Sequence, residues 1–175
     1  DRLMIIVKNL VLVGMMGSGK TTIGEIVAKK LDLEFIDIDK EIEELENCNI
    51  NKIFELKGEK YFRQIEEEIS INKIKLQKKV ISLGGGGFLN NKIKKSVLNT
   101  CLSFWLDWSH DELIKRLIKS KKRPKVKNID KNELKNMIKE RNSKYNHANF
   151  RIKCDDLTKF EIADKVIKIF ENEKN

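Results

Sequence analysis

The sequence contains few of the residues on which disulfide frameworks and metal centres depend. Its three cysteines, Cys48, Cys101 and Cys154, are far apart, odd in number and form no C-x-x-C pair. This pattern indicates free thiols in a reducing cytoplasm, not a secreted protein held by disulfides. The two histidines, His110 and His147, stand alone and have no metal-ligand spacing.

Long apolar runs are also missing. No stretch approaches the roughly 20 apolar residues that span a bilayer. Residues 3–7 are apolar but too few for a signal peptide, and no small-residue cleavage site follows them. We therefore expect a cytoplasmic protein with no membrane partner. A length of 175 residues with 40% hydrophobic and 36% charged residues suits one globular domain over 1–175.

Positive charge exceeds negative charge, and the formal net charge is +9. Such a balance is compatible with nucleic acid, a membrane surface or an anionic small substrate. Much of the excess is lysine on helix faces that the sequence pattern predicts to be exposed to solvent, such as 29–30 and 94–95. Because no basic motif with interleaved aromatic residues occurs, nucleic-acid binding is the lesser alternative.

One stretch carries a specific chemical signal. Residues 14–21 read Gly-Met-Met-Gly-Ser-Gly-Lys-Thr and fit the phosphate-loop pattern G-x-x-x-x-G-K-[ST]. A strand pattern at 10–13 precedes it and an amphipathic helix pattern at 22–31 follows, which is the context this loop requires. The alternative is a glycine-rich turn with a surface lysine.

In such a loop, glycines let the backbone approach an anion, Lys20 can reach the β- and γ-phosphates, and the hydroxyl of Thr21 can hold Mg²⁺. The predicted ATP-binding residues of this segment are Gly14, Met15, Met16, Gly17, Ser18, Gly19, Lys20, Thr21 and Thr22.

Short apolar segments alternate with helical patterns along the chain. Strands are predicted at 4–13, 34–37, 79–83, 101–106 and 150–153. This alternation indicates a parallel sheet covered by helices on both faces. Apolar spacing near 3.6 predicts one helix over 59–76, with Gly58 ending the helix before it. Capping patterns predict helix starts at Ser109, Asp130 and Thr158.

A polar, lysine-rich segment at about 119–131 shows no periodicity and contains the only proline, Pro124. Loops of this length in compact domains are often lids over an active site. We therefore predict a mobile lid here.

Four further motifs follow the phosphate loop, and in this order the chain resembles the shikimate kinases. They are Asp37-Ile38-Asp39, Phe62-Arg63-Gln64-Ile65-Glu66, Ser82-Leu83-Gly84-Gly85-Gly86 and Arg123-Pro124, with Arg141 and Tyr145 completing the pattern. The resemblance covers nearly the whole chain. It implies transfer of the γ-phosphoryl group of ATP to the 3-hydroxyl of shikimate, in the route to aromatic amino acids.

The same resemblance implies an α/β fold of the P-loop nucleoside-monophosphate-kinase type. This fold is a three-layer sandwich with a five-stranded parallel sheet in the order 2-3-1-4-5, flanked by helices and carrying a lid. It further implies a monomer that uses ATP and shikimate, with Mg²⁺ as cofactor, and a substrate-binding region at about 34–62.

Catalytic roles follow from the resemblance for Lys20, Asp37, Asp39 and Arg123. Asp39 is the candidate base for the attacking hydroxyl, Asp37 would organise Mg²⁺ with Thr21, and Arg123 would close over the phosphates. If the second strand stays extended, both carboxylates point to the same side. The alternative is a pair of acids that caps a helix starting at Lys40.

Two arginines, Arg63 and Arg141, match the family's substrate-carboxylate arginines. A guanidinium suits this role because it donates two parallel hydrogen bonds to one carboxylate. Glu66 is expected to hold an arginine in place. For Arg63 the alternative is an ordinary helix ion pair with Glu59 or Glu67.

Three glycines after the third predicted strand, Gly84, Gly85 and Gly86, match positions at which the family's backbone contacts substrate. The alternative for this run is a flexible turn. Arg116 stands where the family has an arginine near the adenine, and its alternative is an exposed helix arginine.

Two rival functions belong to other classes. One is a kinase of the same fold that acts on gluconate or a nucleotide, and the other is a non-catalytic module that binds a partner or nucleic acid. The acidic pair, Arg63 and the glycine run favour a small polyhydroxy acid, and the retention of Lys20 and Thr21 favours catalysis.

Overall fold

Strands and helices alternate along the chain in the structure, a computed structural model that describes residues 7–120 and 129–173. Within these ranges the strands are β1 (Asn9–Val13), β2 (Glu34–Asp37), β3 (Lys79–Ser82), β4 (Cys101–Asp107) and β5 (Phe150–Lys153). The helices are α1 (Lys20–Leu31), α2 (Ile38–Glu46), α3 (Ile50–Ile74), α4 (Asn91–Thr100), α5 (His110–Lys119), α6 (Lys131–Tyr145) and α7 (Lys159–Glu173), with a short 3-10 helix at Gly87–Leu89.

The strands form one parallel sheet in the order β2-β3-β1-β4-β5. In its register Leu12 of β1 lies beside Ser82 of β3 and Phe104 of β4. Helix α1 packs on α7, and α3 packs on α2 and α4, so two groups of helices flank the sheet. The predicted α/β architecture and strand order are confirmed.

Strands β1 and β4 are buried at every residue. Both faces of a parallel sheet are covered by helices, which explains the nearly continuous apolar runs in the sequence. The carboxyl ends of β1 to β4 lead into Gly14, Ile38, Leu83 and Trp108. Because ligands of open α/β sheets bind at this edge, we expect ligand-binding residues in these four connections.

The first strand is shorter than predicted. Residues 1–6 lie outside the described part of the chain, and the strand begins at Asn9. The side-chain amide of this buried residue donates to the carbonyl oxygens of Ile74 (3.0 Å) and Leu76 (2.6 Å), and its oxygen accepts from the N–H of Lys79 (2.9 Å). Asn9 thus ties the end of α3 and the start of β3 to the first residue of β1.

The other strand predictions hold closely. β2 and β5 have the predicted bounds, and β3 and β4 differ from them by one residue at their carboxyl ends. The predicted break before the long helix is also present, because Gly58 has a non-helical φ of 84° inside α3. Beyond this break α3 ends at Ile74, two residues before the predicted end.

Helix starts follow the capping patterns in two of three cases. The Ser109 hydroxyl accepts from the N–H of Glu112 (3.3 Å), and Thr158 and Glu161 exchange two hydrogen bonds of 3.1 Å. Asp130 does precede α6, but its side chain makes no cap hydrogen bond.

The three cysteines are free thiols, and no group of histidine, cysteine, aspartate and glutamate side chains in 7–120 and 129–173 could by itself hold a metal ion. Among the helices of the same ranges, none combines the length and apolarity needed to cross a membrane.

Candidate active site

The phosphate loop connects β1 to α1. Gly17 and Gly19 have φ of 77° and 89°, a left-handed conformation that costs other L-residues about 1–2 kcal/mol. Gly19 is the N-cap of α1, and no side chain caps this helix start. The start of α1 therefore has no side-chain acceptor for its first N–H groups, as an anion site at a helix N-terminus requires.

Lys20 is anchored to its own loop. Its Nζ donates to the carbonyl oxygens of Gly14 (2.7 Å) and Met15 (2.9 Å), and the residue is only 9% exposed. Ser18 is also buried, and its Oγ has no hydrogen-bond partner among the described residues. An unpartnered buried hydroxyl is costly, and its position in this loop fits a ligand that accepts hydrogen bonds.

Asp37 ends β2 and contacts the loop. Its Oδ2 accepts a 2.8 Å hydrogen bond from the Thr21 hydroxyl, and its Oδ1 accepts from the N–H of Lys40 (3.3 Å). Asp37 therefore contacts Thr21 and also caps α2, which begins at Ile38 and not at Lys40.

Asp37 and Asp39 would point to the same side only if the second strand stayed extended through both, and it does not. The strand stops at Asp37, and Asp39 lies in the first turn of α2. The reason is the cap itself: once Asp37 binds the N–H of Lys40, the backbone turns into a helix. Asp39 consequently faces a different neighbour, Gly84.

Gly84 lies between two carboxylates. A Cβ on this residue would be 2.6 Å from Oδ1 of Asp39 and 3.2 Å from Oε2 of Glu66. Glu66 is 1% exposed, and this burial raises its pKa. The nearby Arg63 acts against the rise and the charge of Asp39 adds to it. A side chain at position 84 would displace Asp39.

Arg63 is oriented by Glu66 and by the glycine run. Its Nη1 lies 2.9 Å from Oε1 of Glu66, one turn along α3. A Cβ on Gly86 would overlap the guanidinium, so the arginine packs directly on the backbone of the run. The side chain remains 34% exposed, which leaves it accessible to a ligand.

The helix ion pair considered as the alternative for Arg63 is present as well. Its Nε lies 3.6 Å from Oε1 of Glu59, while Glu67 pairs with Asn90 and Lys92. The pair with Glu59 is on an exposed surface, where such contacts contribute little. It does not remove Arg63 from the site.

Gly85 is where the phosphate loop and the second arginine meet. A Cβ on it would lie 3.2 Å from Nη1 of Arg141 and 3.3 Å from the backbone N of Met16. This Nη1 of Arg141 is buried without a hydrogen-bond partner among the described residues. A buried guanidinium nitrogen that lacks an acceptor fits an anionic ligand at this point.

Tyr145, one turn after Arg141, also contacts Gly85. Its hydroxyl donates a short hydrogen bond to the carbonyl oxygen of Gly85 and contacts Sδ of Met15 at 3.8 Å. The side chain is fully buried, and burial raises its pKa to about 12. Tyr145 therefore acts as a neutral hydrogen-bond donor at physiological pH.

Trp108 and Arg116 also contact the phosphate loop. The indole N–H of Trp108 donates to the carbonyl oxygen of Ser18 (2.8 Å), and the guanidinium carbon of Arg116 is 3.7 Å from the centre of the indole ring. Nothing in the sequence singled out Trp108, because a tryptophan after an apolar strand has the pattern of a core residue.

The described residues predicted to bind ATP and those predicted to bind substrate lie at one edge of the sheet, around the phosphate loop and the glycine run. Thr22 lies beside them in the first turn of α1 with an exposed side chain. Arg123 belongs to 121–128, which lie outside the described residues.

Comparison with known proteins identifies the family of this chain. The family model for shikimate kinase matches residues 16–171. A shikimate kinase of Bacillus pumilus is 41% identical over 162 residues, which cover 91% of this chain and 88% of that protein. A shikimate kinase of Acinetobacter baumannii, solved in complex with shikimate, superposes with a TM-score of 0.88 at 28% identity, covering 97% and 96% of the two chains. A gluconokinase of Sinorhizobium meliloti shares the fold, with a TM-score of 0.58 at 14% identity and coverage of 97% and 94%.

Proposed function

This chain belongs to the shikimate kinase family, and from that membership we propose how its residues transfer a phosphoryl group from ATP to shikimate. The enzyme phosphorylates shikimate in aromatic biosynthesis. We propose that the γ-phosphoryl group is transferred to the 3-hydroxyl, which gives shikimate 3-phosphate and ADP. The observation that carries the residue roles is the contact at Gly85, where Arg141 adjoins Met16 of the phosphate loop.

The acceptor lies against the glycine run in this proposal. Arg63 and Arg141 hold its carboxylate, and the unpartnered Nη1 of Arg141 supports this role. Asp39 accepts the proton of the attacking hydroxyl, in keeping with its position beside Gly84. The absence of side chains at Gly84, Gly85 and Gly86 lets the ring approach the backbone.

The nucleotide lies on the other side of Gly85. Backbone N–H groups of Gly14–Thr22 receive the phosphates, and Lys20 adds positive charge where the transferred group develops negative charge. The buried Ser18 hydroxyl, which has no partner among the described residues, supports a bound phosphate oxygen here. Arg116 lies beside the base.

Mg²⁺ fits the pair formed by Thr21 and Asp37. Both side chains offer hard oxygen atoms, and their 2.8 Å contact brings them together at the start of α1. Since Mg²⁺ usually takes one or two protein oxygens and completes its shell with waters and phosphates, the lack of a larger acidic cluster in the described residues is compatible with it. When bound, the ion neutralises charge on the phosphates during transfer.

Other parts of the proposal rest on the family and the sequence. They are a single kinase domain over 1–175, an acceptor region at about 34–62, a lid at about 119–131 with Arg123 over the phosphates, and a monomer that binds neither nucleic acid nor membrane. A cytoplasmic location is supported by the three free thiols.

The decisive experiment is an assay of ADP release with shikimate, gluconate and nucleoside monophosphates as alternative acceptors. Product analysis by NMR identifies the phosphorylated hydroxyl. We expect turnover with shikimate and a phosphate on its 3-oxygen. Turnover with gluconate and none with shikimate would overturn the proposal, as would a gel shift with steep salt dependence in a protein without kinase activity.

A further inference from the structure

Trp108 connects two parts of the nucleotide side that are far apart in sequence. It follows β4 directly and is 6% exposed. Its N–H reaches the Ser18 carbonyl oxygen at 2.8 Å, and its ring lies under the guanidinium of Arg116 at 3.7 Å. One indole thus contacts both the phosphate loop and a side chain of α5.

The hydrogen bond to Ser18 orients a peptide group. In a planar trans peptide the C=O of one residue and the N–H of the next point in opposite directions. When Trp108 holds the Ser18 oxygen, the N–H of Gly19 is turned away from the indole. Gly19 is the N-cap of α1 with no side-chain cap, so this N–H belongs to the set that an anion uses.

The stacking contact orients Arg116. A guanidinium over an indole is attracted by the ring electrons, and this attraction limits the positions that the guanidinium can take. Glu112 constrains the same group from the preceding turn, since its Oε1 is 3.4 Å from Nε. The side chain is still 37% exposed, so it can meet a ligand while being held.

We propose that Trp108 is a positioning residue of the nucleotide subsite: its N–H fixes the loop peptide whose amide meets the phosphates, and its ring holds Arg116 beside the base. This inference rests on the proposed function, which assigns the loop and Arg116 to ATP. Trp108 touches neither reacting group and acts only through Ser18 and Arg116.

Two substitutions separate the two contacts. Trp108→Phe keeps an aromatic ring under Arg116 and removes the N–H, whereas Trp108→Leu removes both. We expect the KM for ATP to rise by about 2- to 10-fold in the phenylalanine variant, the range of one hydrogen bond, and further in the leucine variant. The KM for shikimate stays at the wild-type value. An equal rise for both substrates would overturn the proposal.

A double-mutant cycle with Arg116→Ala tests whether the ring acts through Arg116. Once Arg116 is absent, Trp108→Leu should cost less ATP affinity than it costs in the wild type. Additive losses would overturn this part of the inference. If Trp108→Leu does not fold, the proposal is tested by the phenylalanine variant and by tryptophan fluorescence.

Fluorescence supplies a measurement that needs no turnover. The chain has two tryptophans, so Trp105→Phe leaves Trp108 as the sole emitter. We expect ADP with Mg²⁺ to change its emission saturably, and Trp108→Phe to weaken ADP binding measured by calorimetry. An unchanged emission at saturating ADP would overturn the proposal. A protein that binds ADP in this way but does not phosphorylate shikimate would refute the proposed function and leave the role of Trp108 intact.

Discussion

Nη1 of Arg63 lies 2.9 Å from Oε1 of Glu66, and this carboxylate is buried to 1% exposure. Burial raises the pKa of Glu66 despite the arginine. Burial therefore disfavours the charged form of the carboxylate that pairs with Arg63, the residue proposed to hold the substrate carboxylate. Stability and substrate binding are opposed at this residue.

Glu66→Gln is expected to separate these two effects. A folded-state pKa above the unfolded value gives stability that is present in acid and lost as pH rises from about 4.5 through the raised pKa. A glutamine side chain does not ionise, so the variant does not lose stability in this way as the pH rises. Its free energy of unfolding at pH 7 therefore equals or exceeds that of the wild type. Its KM for shikimate rises because Arg63 loses its charged partner.

Urea unfolding at pH 4 and pH 7, together with KM values for both substrates, would check this prediction. Glu67→Gln is the matched control, since the neighbouring carboxylate pairs with Asn90 and Lys92 and not with Arg63. A lower stability of Glu66→Gln at pH 7 with an unchanged KM would contradict the role given to the pair.

Arg63→Ala should impair the use of shikimate far more than the use of ATP. A charge-assisted hydrogen bond is worth about 1.5–3 kcal/mol, so the KM for shikimate should rise by roughly 10- to 100-fold. Steady-state kinetics with each substrate varied in turn gives both KM values. Arg151→Ala, at an exposed arginine of β5 that pairs with Asp107, is the control. Equal losses for both substrates would count against a carboxylate role.

Gly86→Ala and Gly87→Ala form a pair of neighbouring tests. A Cβ on Gly86 would overlap the Arg63 guanidinium, whereas a Cβ on Gly87 meets Leu83 at an ordinary 3.5 Å. Gly86 has a φ of −94°, so alanine adds no backbone strain there. We expect the first variant to raise the KM for shikimate by about tenfold or more, as displacement of a charged contact would, and the second to behave like the wild type. Similar kinetics for the two would show that Arg63 tolerates displacement.

Lys20→Ala and Asp39→Asn should each nearly abolish kcat without unfolding the protein. The first removes the cation of the phosphate loop, and the second removes the proposed base beside Gly84. Single-turnover phosphoryl transfer and thermal unfolding measure the two properties separately. Lys29→Ala, at an exposed lysine of the same helix, is the control. A kcat near the wild-type value in either variant would refute that residue's assignment.

Much of the fold was predictable because its signals are local. Buried strands such as β4 appear as apolar runs, Gly58 marks a break in a helix, and the phosphate loop is a contiguous motif. Capping was less dependable. Asp130 has the right pattern and position but makes no cap bond, because a pattern does not fix where a short side chain points.

The sequence motifs propose the members of the candidate site but do not predict their contacts. A strand extended through Asp39 would have placed Asp37 and Asp39 on one side, but the helix cap formed by Asp37 directs them to different neighbours. Trp108 escaped notice because its role depends on Ser18, 90 residues away. Likewise the contact between Tyr145 and Gly85 joins α6 to the glycine run, and only the folded chain brings them together.

Gly85 has a consequence for inhibition. A compound that spans both substrate positions would pass over this one bare backbone residue, with the Arg141 guanidinium and the Met16 amide on either side. A side chain there would press on both neighbours at once, so a substitution that hinders such a compound would also shift Arg141 or the phosphate loop. A bisubstrate inhibitor anchored across Gly85 would therefore rest on a residue whose substitution disturbs the phosphate loop and Arg141 together.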